Sequence, residues 1–224
     1  LLIGCSERTS SSAIRKIIHT LFEKKDLGLQ KISVILIPQK RSTMHIDSLF
    51  THIQKNVWVL HTPLSRTFLQ AKKIAYFDGL LQYDDRFERE PVRIVQFANE
   101  LESDGEYRVQ TEMSDLESLL VQVSVEDFGC HPSEVQFAYS GNGEFPFSDR
   151  EQWTDSCNMV ALKEGVVVGY DRNTRTIEGF AKKGFQILEV KKLHQELKAK
   201  HLDIESLRSE REKLFQKPTV LLLP

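Results

Sequence analysis

The run NMVALKEGVVVGYDRNTRTIEGFAKKGFQILEV, Asn158–Val190, carries the clearest order of elements in the chain. Two apolar stretches, 158–162 and 166–170, flank Lys163-Glu164-Gly165, a hairpin connection that ends in glycine. A short helix is predicted over 175–183, closed by Gly184, and a strand over 185–190. The unit is therefore ββαβ. The start of the chain is one strand short of the same unit. A strand at 1–4 is followed by a polar turn at 6–10. A helix follows over 12–25, with Ala13, Ile14, Ile17, Ile18, Leu21 and Phe22 at helical spacing, and then a β-branched strand over 32–37. Repetition of the topology without repetition of the letters predicts an α/β class with mixed sheets.

The rest of the chain reads less sharply. Pro38 stops the second strand, and basic Gln39-Lys40-Arg41 leads into Met44–Phe50. Residues 57–60 and 135–139 read as strands, and 62–90 as a helix with loops. The stretch 92–99 fits a strand or a helix, and 113–123 fits a helix with Leu116, Leu119 and Leu120 on one side. Ser140-Gly141-Asn142-Gly143 with Pro146 marks a loop. Residues 191–217 hold 13 charged side chains and an apolar stripe through Leu193, Leu197, Ile204, Leu207 and Leu214. They are predicted to form a surface helix with a solvated face; the other reading is a helix that binds a partner.

Composition narrows the class. With 224 residues the chain holds one large domain or two small ones, and it buries enough surface to need no staple. The net charge of −2 gives no bulk attraction to nucleic acid or to an anionic membrane. No apolar run approaches the roughly 18 residues that span a bilayer. Three scattered cysteines, Cys5, Cys130 and Cys157, suit a reducing, cytoplasmic setting better than a disulfide framework. The chain opens on apolar Leu1-Leu2-Ile3 and stops after apolar Thr219–Leu223, so it is expected to be part of a longer one.

Few residues invite chemistry. His45 and Asp47 lie two apart; in an extended segment they would share one side, with Ile46 turned inward. An imidazole beside a carboxylate moves protons near neutral pH; the alternative is a hydrogen-bonded structural histidine. Arg8 follows a strand and precedes a helix, where its planar fork could receive a carboxylate; the alternative is a capping turn with a solvated arginine. Gly141-Asn142-Gly143 lacks the lysine of a phosphate cradle. The cysteines could be nucleophiles or small buried hydrophobes, and no CxxC or HExxH spacing suggests a metal.

Three blocks, in order, resemble the bacterial arginine deiminases. Ile3–Ser10 is similar to the family's SERT segment, Met44–Phe50 to its MHLDTVF segment, and Glu151–Asn158 with Leu162–Asn173 to its late segment. The resemblance implies a pentein fold, an α/β propeller of ββαβ modules, in one deiminase domain over 1–224. It also implies hydrolysis of L-arginine to L-citrulline and ammonia through a cysteine thiouronium, without a cofactor. His45 matches the general acid/base, Asp47 a carboxylate that grips the guanidinium, and Arg8 an arginine of the substrate-carboxylate site. The family's nucleophilic cysteine matches none of the three here, so these residues alone are expected to be inactive. Residues 191–217 then read as a helical insertion, and a homo-oligomer is compatible with the sequence. Agmatine deiminase, dimethylarginine hydrolase, amidinotransferase and a non-catalytic ribosome-binding factor share the fold; Arg8 favours a substrate with a free carboxylate.

Overall fold

The computed structural model describes residues 1–37, 41–61, 92–200 and 203–224. The expected stop at Pro38, the basic Lys40 and the helix and loops of 62–90 fall outside these. The chain divides into two compact units, Leu1–Ile46 with Pro63–Gln122, and Asp47–Thr62 with Val123–Pro224.

The first unit is built on a four-stranded mixed sheet. Strand β1 (Leu2–Cys5) pairs in parallel with β2 (Lys31–Leu36), which pairs antiparallel with β5 (Arg93–Leu101), which pairs antiparallel with β6 (Tyr107–Met113). Helix α1 (Ser11–Glu23) makes the crossover between the parallel strands. Ser10 caps it by accepting from the Ala13 amide, and Ile14, Ile18 and Phe22 fall on its buried stripe. They pack on Ile32 and Val34 of β2. Each such side chain removed from water is worth about 2 kcal/mol. The ambiguous stretch at 92–99 is strand: Ile94, Gln96 and Ala98 alternate as buried positions, a period of two. Strand β6, which the sequence did not suggest, occupies residues up to Met113, so the predicted helix starts later. It runs as α2 (Leu116–Glu126), with Asp115 accepting from the Ser118 amide at 2.7 Å and Leu116, Leu119 and Leu120 buried.

The second unit holds two further mixed sheets. In one, β3 (Phe50–Gln54) pairs antiparallel with β4 (Val57–Leu60), which runs parallel to β7 (Gln136–Tyr139). Helix α3 (Phe147–Trp153) follows β7. The other sheet contains the predicted module. The hairpin β8 (Val160–Lys163) and β9 (Val166–Tyr170) turns through Gly165 at φ 77°, and α4 (Thr174–Lys182) leads to β10 (Gln186–Glu189). The sheet order is β10-β11-β9-β8, because β11 (Thr219–Leu223) inserts between β9 and β10, parallel to both. Ile53, Val59, Ala138, Val167, Phe180 and Val220 fuse the two sheets into one core.

The charged stretch after β10 is not one helix. It forms α5 (Val190–Ala199) and α6 (Ile204–Leu214), the second capped by Asp203, which accepts from the Ser206 amide at 2.8 Å. Because β10 and β11 are parallel neighbours, the chain must return to the start of the sheet between them. The helix pair makes that return.

Candidate functional site

In the first unit, β1 ends at Cys5 and the chain folds into a tight turn. Thr9 donates its amide to the Ser6 carbonyl, and Arg8 donates its amide to Ser6 Oγ at 3.1 Å. Arg8 stands at the tip of this turn with its side chain 62% exposed. Its Nη2 lies 3.5 Å from Met44 Sδ and its Nε 3.8 Å from a Glu7 carboxylate oxygen. A thioether is a weak acceptor, so these contacts leave much of the guanidinium's donor capacity for a ligand carboxylate. Nothing in the residue pattern pairs Arg8 with Met44, the residue before His45.

His45 is exposed, and Ile46 beside it is half-buried. The segment is not extended: Arg41–Thr43 and Ile46–Ser48 are 3-10 turns. The same-side argument for His45 and Asp47 rested on extended spacing and does not hold in this backbone. His45 belongs to the first unit; Asp47, also exposed, belongs to the second. Ile46 does turn inward, toward Gly4.

In the second unit, the late family-like block is buried machinery of the fold. The carboxylate of Glu151, 3% exposed, accepts from the amides of Arg175 and Thr176, both at 2.9 Å, and from Thr176 Oγ1 at 2.7 Å. It satisfies the otherwise orphaned donors at the start of α4 and meets the positive end of the helix dipole. Asn173 donates to the Thr154 carbonyl at 3.0 Å and accepts from the Thr154 hydroxyl. The Gly141 amide donates to Thr176 Oγ1 at 2.8 Å, and Ser140 Oγ donates to the Ser148 carbonyl at 2.7 Å. Gly141 has φ 57°, and a Cβ there would stand 2.2 Å from the backbone between Phe147 and Ser148. The glycine loop is thus a packing device.

The remaining candidates are quiet. Cys157 is fully buried, and burial pushes its thiol up to about 12. Cys5 points its thiol at the Thr9 carbonyl, 3.6 Å away, and Cys130 is half-buried. His52 stacks between Trp58 and Phe128, with ring centroids 4.1 and 5.0 Å away, and burial lowers its pKa. His61 is buried, its Nδ1 without a hydrogen-bond partner, and burial lowers its pKa to about 4. The Asp149 carboxylate, 4.0 Å from its Nε2, is half exposed and does not offset that burial. Among the described residues no three His, Cys, Asp or Glu side chains gather as metal ligands would, and no helix is long and apolar enough to cross a membrane.

The mixed-sheet α/β architecture, with an exposed arginine in a strand-to-helix turn beside an exposed histidine loop, defines a class rather than an activity. The arginine deiminase family matches residues 1–197 of this chain. The arginine deiminase of Staphylococcus aureus MRSA252 is 30% identical over 191 residues, which cover 85% of this chain and 39% of that protein. Those of strains JH9 and Newman are 31% identical over the same extent. The chain therefore belongs to the arginine deiminase family, and it spans about two fifths of the length of these relatives.

Proposed function

We propose that the protein carrying this chain hydrolyses L-arginine to L-citrulline and ammonia. The observation that carries this reading is the family match over residues 1–197, which includes the turn where Arg8 stands exposed against the residue preceding His45. In the proposed reaction a cysteine thiolate outside the three present here attacks the guanidinium carbon. His45 gives a proton to the departing ammonia, which leaves a thiouronium. It then takes a proton from the attacking water, and the carbon–sulfur bond breaks to release citrulline and the thiolate. Asp47 holds the guanidinium by directional, charge-assisted hydrogen bonds, and Arg8 holds the substrate carboxylate. The setting of Cys157, fully buried with its thiol pushed up to about 12, supports the assignment of the nucleophile elsewhere.

In this reading both units belong to one deiminase domain, a propeller of ββαβ modules, with α5–α6 inserted between two of its strands. The enzyme is cytoplasmic, takes a small molecule rather than nucleic acid or membrane, and is compatible with a homo-oligomer. Assay of released ammonia, common to both substrates, tests the reading. Turnover of L-arginine, with little or none of agmatine, is expected. Equal turnover of agmatine would remove the role of Arg8, and no turnover of either would remove the proposed activity.

A further inference from the structure

Gly4 interrupts the apolar strand β1, where glycine is less stable than alanine by about 0.5–1 kcal/mol. Its φ lies outside the left-handed region, so conformational freedom is not the reason for it. Space is. A Cβ at Gly4 would come 2.9 Å from Ile37 Cδ1 and 3.0 Å from Ile46 Cβ. The two contacts differ in kind. Ile37 Cδ1 is the far end of a flexible side chain and can swing away. Ile46 Cβ is bonded to the backbone and can retreat only if the chain beside it moves. On the other side of His45, Met44 meets the Arg8 guanidinium at 3.5 Å. The two neighbours of His45 are thus both seated on the segment Gly4–Arg8.

We propose that Gly4 is a positioning residue for His45: its bare Cα lets Ile46 lie against β1 and so fixes the height at which the imidazole is presented. This rests on the deiminase reading, in which His45 transfers the protons. A side chain at Gly4 displaces the His45 peptide by tenths of an ångström. Proton transfer is sensitive to displacements of that size, whereas substrate capture through other side chains is not.

The test uses the active protein that carries this chain, with Gly4→Ala, Gly4→Ala/Ile37→Val, Ile46→Ala and His45→Ala. Gly4→Ala is expected to lower kcat about tenfold with KM for arginine within about twofold and the melting temperature nearly unchanged. Ile37→Val, which clears the flexible contact, is expected not to restore the rate. Ile46→Ala, which empties the seat without crowding it, is expected to lower kcat in the same sense and serves if Gly4→Ala does not fold. Wild-type kcat in Gly4→Ala, full rescue by Ile37→Val, or an unchanged kcat in Ile46→Ala would overturn the proposal. If His45→Ala is inactive while Gly4→Ala matches wild type, the positioning role alone fails. If His45→Ala keeps full turnover of arginine, the proton-transfer role of His45 and this proposal fall together while the deiminase activity stands; if the wild-type protein does not turn over arginine, the deiminase reading itself falls.

Discussion

Two polar connections lead into helices, one in each unit, and they are held in opposite ways. At Ser6–Thr9 Glu7 and Arg8 face water, and the guanidinium's neighbours are a thioether and a solvated glutamate. At Ser140–Gly141 and their partners Glu151, Asn173 and Thr176, polar groups are buried and bonded within one network. Both regions carry letters that resemble the arginine deiminases. A family motif thus has two physical sources. A buried polar residue that satisfies a helix end must be kept because losing it strands its partners. An exposed polar residue whose donors are only partly engaged is kept for what it can still bind.

The two regions should therefore fail differently when broken. The largest effect expected is on the exposed side: His45→Ala in the active protein lowers kcat by about 10²–10⁴ without changing the urea midpoint. On the buried side, Glu151→Ala strands two amides and a hydroxyl at the start of α4, an expected loss of about 4 kcal/mol by urea denaturation of the 224-residue chain. A hydrated, tolerant site there would instead show under about 1 kcal/mol.

Acid sharpens the same contrast. His61 has its pKa lowered from the ordinary 6.5 to about 4 in the fold, so the unfolded chain takes up the proton first. Its contribution is complete above about pH 6.5 and drains as the pH falls toward 4, by up to about 3 kcal/mol. His61→Gln should flatten that slope in urea titrations across the window; an unchanged slope would place the acid sensitivity elsewhere. The smallest effect returns to the exposed turn. Arg8→Ala should raise KM for arginine about tenfold while stability stays within about 0.5 kcal/mol.

How far the sequence reached follows the range of the interactions. The β8–β9 hairpin and α1 were legible because Gly165 and the Ile14–Ile18–Phe22 stripe act locally. The strand at 219–223 was legible as a strand, but its place between β9 and β10 depends on residues far along the chain. Strand β6 was missed because its side chains are mostly exposed and lack an apolar signal. The single charged helix became two where Asp203 starts a fresh one, a capping signal present in the letters Asp203-Ile204-Glu205-Ser206. In the candidate site, Arg8 and His45 were singled out by residue type and motif, yet their link through Met44 joins residues 36 apart. Glu151 left no mark as a cap because its partners, Arg175 and Thr176, lie 24 and 25 residues on.

The three methionines offer the most direct measurement. Met44 sits against Arg8 in the exposed region, whereas the Met159 methyl packs on Gly169 against the core of the second unit. With 13C-labelled methionine methyls in the protein that carries this chain, bearing His45→Ala to suppress turnover, titration with L-arginine should shift Met44 in a saturable way and leave Met159 where it is. Movement of Met159 with Met44 silent would contradict the account, because arginine would then be binding at the region assigned here to holding the fold.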